Sequence, residues 1–152
     1  MLAIVPVRAV VPATRWPIAN VLILGAMAVV SALAWVHHPE GLLAPSHQGE
    51  PTAYQRLVLR DGAPVELVGH VLVHTDPLHL AGTIVFLWVF GNAVCATVGN
   101  LTYTAVFLAS AALTGTIHVH GNGAPVIGAG GATSGVVGLY LVLHLLAPVT
   151  CA

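Results

Sequence analysis

An all-α, polytopic membrane protein with about four transmembrane helices is the fold this sequence predicts. Hydrophobic residues make up 57% of the chain and charged residues 6%, with no lysine. A soluble domain carries about a quarter charged residues, because it needs them to cover its surface. The distribution is as telling as the amount. Five acidic residues and four arginines all lie at or before Asp76, and none occurs from Pro77 to Ala152. A stretch that long must turn several times, so it cannot be one buried core element. A bilayer is the solvent that accepts its apolar surface.

The first span is expected over 17–36. Arg8 and Arg15 precede Trp16-Pro17, an apolar run follows, and Trp35 closes it ahead of His37 and His38. Tryptophan at both ends fits the membrane–water interfaces, and proline fits a first helical turn. An arginine-bearing start followed by an apolar run and Ala32-Leu33-Ala34 also resembles a signal peptide. A signal core of about 7–15 residues is shorter than this run, which favours a retained helix.

Residues 37–76 collect Pro, Gly, Gln and most of the charges, as an extramembrane loop does. Its apolar end, Val65–His74, suggests a short interfacial or re-entrant helix. Asp76-Pro77 is an N-cap followed by a first-turn proline, opening a second span over 77–98 that stops at Gly99-Asn100. A third span is expected over 102–118, ending in the turn Gly121–Pro125, and a fourth over 130–147. Residues 1–16 form a tail and 17–152 one membrane domain. Two arginines and no acid in the tail, against two arginines with Glu40, Glu50, Asp61 and Glu66 in the first loop, place both termini in the cytoplasm by the positive-inside rule.

Composition also excludes classes. Four arginines and a net charge of −1 make no nucleic-acid surface. Cys95 and Cys151 are too few for a disulfide scaffold and too far apart for a metal knuckle, so both read as small buried hydrophobes. No cofactor or metal is expected. The lipid bilayer is the certain partner.

Two constellations carry candidate chemistry. His74, His79 and Thr83 head the second span, which runs on into Leu87-Trp88-Val89-Phe90-Gly91-Asn92. The fourth span opens on Gly128-Ala129-Gly130-Gly131-Ala132-Thr133-Ser134-Gly135. Polar residues within spans are costly and invite a functional reading, although interfacial histidines are also found hydrogen-bonded and inert. At these residues the chain resembles the rhomboid family of intramembrane serine proteases. The second helix of that family opens on H-x4-H-x3-N and continues into a W-x-F-G-N-like stretch, and its fourth opens on G-x-S-G. The resemblance covers roughly Val65–Ala152 without a gap in either motif.

The resemblance implies a fold like the first four helices of a six-helix core. It also implies a division of labour: a serine nucleophile on the fourth helix, a sixth-helix histidine as its base, and second-helix His and Asn as oxyanion donors. Carried over residue by residue, most of this is missing. Gly130 holds the nucleophile position, Thr83 holds the oxyanion asparagine position, and His79 alone keeps its family identity. The chain stops at Ala152, before the helix that would carry the base. Ser134 lies one turn on, about 5.4 Å along the axis on the face of Gly130, and is the remote alternative nucleophile with His79 as base. A serine there more often bonds back to its own helix.

The leading expectation is therefore a catalytically inactive, rhomboid-like pseudoprotease or truncated remnant that binds transmembrane helices of clients or self-associates. Alternatives are an active intramembrane endopeptidase and histidine-based metal or proton handling at the outer face, given nine histidines. Gly130, Ser134 and Gly138 at i, i+4 and i+8, and Gly131 with Gly135, make a small-residue surface on which another helix can pack closely.

Overall fold

The structure is a computed structural model and describes residues 15–44, 50–121 and 125–144, with residues 6–9 and 149–151 as backbone. Helix α1 is Ile18–His37. A 3-10 turn, Gln55–Leu57, and the short helix α2, Pro64–Gly69, follow, with a second 3-10 turn at His70–Leu72. The second span is one run in three parts: α3 (Pro77–Phe86), a π-helical turn (Leu87–Gly91) and α4 (Asn92–Val98). Helix α5 is Asn100–Gly121 and α6 is Gly130–Leu143. Strand β1 (Pro6–Ala9) pairs antiparallel with β2 (Val149–Cys151) in a short ribbon that lies beside α3 and the π turn.

Three helices are long and apolar enough to cross a bilayer: Ile18–His37, Pro77–Val98 and Asn100–Gly121. Their outward faces agree with lipid as the solvent, for Leu22, Leu101 and Leu113 are each more than half exposed. Water would not tolerate so much contiguous apolar surface. The protein is thus all-α and polytopic. Two span bounds differ from the sequence expectation. The third span is Asn100–Gly121 rather than 102–118, because one residue, Gly99 at φ +89°, makes the whole corner. The fourth helix is 14 residues rather than 130–147, about 21 Å long. The residues expected to complete it, 145–147, and part of the turn at 121–125 lie outside the described residues.

Asp76 caps α3 as its sequence position suggests: its carboxylate accepts from the His79 N–H at 2.8 Å. Glu66, in the first turn of α2, instead ties the preceding turn to that helix, accepting from the N–H groups of residues 60 to 63 at 2.9–3.3 Å. At the far end of the bundle, Asn100 Oδ1 accepts from the Ala19 N–H at 2.9 Å, which satisfies an orphan donor of α1's first turn. Cys95 is buried and unbridged, as read from the sequence.

The core is sealed by Met27 from α1, Tyr103 and Phe107 from α5, and Val136 and Tyr140 from α6. Helix α6 packs on α5 and on the π turn, where Phe90 meets Tyr140 edge-on at 4.9 Å. The glycines of α6 divide by helical phase. A Cβ on Gly131 would collide with Thr114, and one on Gly135 with Ser110, so these two glycines face α5. A Cβ on Gly130 or Gly138 would meet nothing within 4 Å, and Ser134 is exposed. Positions 130, 134 and 138 are therefore not the stripe that closes on α5. One residue of phase is 100° of rotation, and the sequence alone did not say which of two adjacent small-residue rows the neighbour takes.

Gly135→Leu should accordingly destabilise the fold by about 1–3 kcal/mol or prevent folding, while Gly138→Leu should leave stability unchanged. Thermal unfolding in detergent measures both. Equal effects from the two substitutions would contradict this assignment of faces.

Candidate functional site

The candidate site forms where the 37–76 segment, the head of α3 and the entry to α6 meet. Two backbone hydrogen bonds join Leu59 to Val126 at 2.9 and 3.0 Å, and Gly128 N–H donates to the His70 carbonyl at 2.9 Å. These bonds hang the entry of α6 on the loop. Gly128 sits at φ +106°, a conformation that L side chains rarely adopt. It is glycine for a second reason: a Cβ there would come within 2.6 Å of His79 Cε1. The ring of His79 therefore lies directly against the glycine-rich loop, so the structure brings together the two motifs that the sequence presents 49 positions apart, 128 less 79.

His79 is exposed, and its Nδ1 is 3.5 Å from Thr75 Oγ1, a weak contact. His74 stands edge-on to it, ring centroids 5.1 Å apart, and is fully buried. Ser31 of α1, which sequence reasoning did not single out, fixes the His74 ring. Its hydroxyl donates to the Leu72 carbonyl at 3.1 Å and lies 3.1 Å from His74 Nδ1. With that proton committed to Leu72, Nδ1 must carry the hydrogen and donate to Ser31, a tautomer assigned from the network. Nε2 then presents a lone pair, and it is buried with no hydrogen-bond partner among the described residues. Trp35 Nε1 donates to the His74 carbonyl at 2.8 Å and pins the same segment. A polar residue inside an apolar run was the only signal for Ser31.

The expected reactive positions are placed as follows. Thr83 is buried one turn below His79 on α3. Gly130 is the first residue of α6, exposed, with open space where a side chain would project. Ser134 donates its hydroxyl to the Gly130 carbonyl at 2.9 Å, the back-bond expected of a helical serine. No hydrogen bond joins Ser134 to His79 among the described residues. Nor do three His, Cys, Asp or Glu side chains gather as a metal site among those residues.

The second half of the W-x-F-G-N-like stretch works elsewhere. Asn20 of α1 donates through Nδ2 to the Leu87 carbonyl and to Asn92 Oδ1, both at 2.8 Å, and its Oδ1 accepts from the Tyr103 hydroxyl at 2.5 Å. Gly91 leaves room for this, because a Cβ would lie 2.6 Å from Asn20 Oδ1 and 2.8 Å from Tyr103 Oη. Gly91 and Asn92 thus join spans rather than face the site.

Comparison with protein-family models finds a match to the Rhomboid domain over residues 61–151, more than half of the chain. Comparisons with curated proteins and with solved structures found no match.

Burial holds the His74 imidazole well below its ordinary 6.5, to about 4, aided by the neighbouring His79 and opposed by Asp76. Burial lowers His70 as well. Because the folded state resists protonation, the unfolded chain takes up the proton first as pH falls. Stability that is fully present above pH 6.5 is then lost as pH drops towards 4. The His74 shift alone corresponds to about 3 kcal/mol. Thermal unfolding between pH 7 and pH 4 should show this loss, and His74→Gln should flatten it. A variant whose profile runs parallel to the parent's would refute the role given to His74.

Proposed function

The chain belongs to the rhomboid family, and from that premise we propose that it is a non-catalytic member, a pseudoprotease that holds transmembrane helices without cutting them. It is an integral membrane protein in contact with the bilayer. One observation carries the proposal: the residue in the family's nucleophile position is Gly130, which has no side chain to attack a carbonyl. Covalent catalysis needs a hydroxyl or thiol with a base in hydrogen-bond reach. Ser134, the nearest hydroxyl on that face, is bonded to its own helix. Thr83 supports the reading further, since its short hydroxyl replaces an amide donor where developing negative charge would need stabilising.

Helix binding draws support from the same surface. Gly130, Ser134 and Gly138 form an exposed row one helical turn apart, with nothing packed over the two glycines. In lipid, where apolar burial drives no association, small residues let a second helix approach closely and gain van der Waals contact. The occupant is a client's transmembrane segment or a second copy of this chain.

The test pairs chemistry with capture in reconstituted vesicles. The parent should neither cleave a model transmembrane substrate nor label with a fluorophosphonate. The Gly130→Ser, Thr83→Asn double variant should stay equally silent, because His79 belongs to the oxyanion side in the family arrangement and enlisting it as base would remove it from that task. A photo-crosslinker at Gly138 should nonetheless capture the co-reconstituted helix. Cleavage by the parent would end the pseudoprotease reading. Cleavage by the double variant alone would show that His79 can act as base, and failure of capture would end the helix-binding half.

A further inference from the structure

The end of the bundle opposite the candidate site carries a cation that no Asp or Glu of the chain can reach. Residues 15–19 are clipped there to the corner between α4 and α5. Asn100 Nδ2 donates to the Trp16 carbonyl at 3.3 Å, and Asn100 Oδ1 accepts from the Ala19 N–H at 2.9 Å. The Arg15 side chain lies across the corner itself, since a Cβ on Gly99 would come within 2.5 Å of Arg15 Nη1. Gly99 thus makes the turn at φ +89° and also leaves room for the guanidinium. Arg15 is exposed, and no hydrogen bond or ion pair engages its side chain among the described residues. Its five N–H donors therefore face outward from a fixed seat.

The sequence says why no partner comes from within. The five acidic side chains, Glu40, Glu50, Asp61, Glu66 and Asp76, all lie between the end of α1 and the start of α3. Helix α1, about 30 Å long, separates that segment from Arg15, and charges are screened over about 8 Å at physiological salt. The surroundings of the guanidinium are apolar and open: Trp16 is 84% exposed, Leu101 86% and Ile18 57%. Tryptophan in such a place marks the level of lipid headgroups. A ligand for this surface must bring an anion at headgroup depth and apolar chains beside it. A zwitterionic headgroup brings a phosphate together with an ammonium, and this end offers no carboxylate to receive the ammonium.

We propose that Arg15, seated on the α4–α5 corner, binds the phosphodiester of an anionic phospholipid. The guanidinium donates to two phosphate oxygens in the forked geometry that suits a phosphate, and the acyl chains lie along Ile18 and Leu101. This role stands whether or not the chain cuts or holds other helices.

The test titrates phosphatidylglycerol or phosphatidylcholine into the protein in a nonionic maltoside detergent and follows bound lipid by native mass spectrometry. Phosphatidylglycerol should bind saturably and about tenfold more tightly than phosphatidylcholine, the difference made by one charge-assisted pair. Arg15→Gln should remove that preference. Arg15→Lys, which keeps the charge but not the fork, should fall between the two. Arg56→Gln, which removes a cation at the opposite end, should leave binding unchanged, as should millimolar inorganic phosphate. Thermal melts show whether each variant is folded, and if Arg15→Gln is not, Arg15→Lys decides the question. Equal affinity for the two lipids would overturn the proposal, as would a preference that survives Arg15→Gln or matches the parent's in Arg15→Lys. An equal loss from Arg56→Gln would show a general charge effect, and displacement by inorganic phosphate would show that the chains contribute nothing; either result also overturns it.

Discussion

The architecture depends on one amide. Asn20 ties α1 to the Leu87 carbonyl, to Asn92 and to Tyr103, and so joins three spans at a single side chain. Within a bilayer no water is at hand to satisfy an amide, so it must find protein partners or bear a cost of several kcal/mol. The π turn is the second span's share of the arrangement. It widens the helix at Leu87–Gly91, where the Leu87 carbonyl accepts from both the Asn92 N–H and Asn20. Gly91 completes it by having no Cβ. The geometry then propagates. The π turn presents Phe90 to Tyr140 and thereby seats α6, and α6 carries the glycine-rich entry that lies on His79.

This chain of dependence separates architecture from chemistry within one motif. Gly91 and Asn92 serve the packing of spans, and Gly128 serves the approach of loop and ring. None of these three roles needs a nucleophile. A chain can therefore keep the close contact of His79 with the α6 entry while the next positions, Gly130 and Thr83, carry no reactive hydroxyl–amide pair. The small-residue rows of α6 divide in the same manner: Gly131 and Gly135 are consumed by α5, and the row one residue earlier stays open.

Much of this was legible in the residues. Hydropathy found the spans because lipid imposes a length, and Asp76-Pro77 announced its cap because few other pairs start a helix so well. The two motifs pointed at His79 and the α6 entry, which the structure joins. What the sequence did not disclose is of a different kind. Ser31 and Asn20 are single polar residues in an apolar run, and their partners lie on other segments, 41 or more and 67 or more positions away. The π turn has no local signature, since it answers to a neighbour's amide rather than to its own composition. The phase of the glycine rows is likewise set by Ser110 and Thr114 on α5, which one-dimensional spacing cannot reach.

The most direct test of the Asn20 junction is a double-mutant cycle between Asn20→Ala and Tyr103→Phe, read as unfolding free energy in bicelles. If one amide joins these spans, the two substitutions should couple by on the order of 1 kcal/mol, each removing a bond the other also removes. Additive effects, within about 0.3 kcal/mol, would show that the spans hold together without it and would contradict the account.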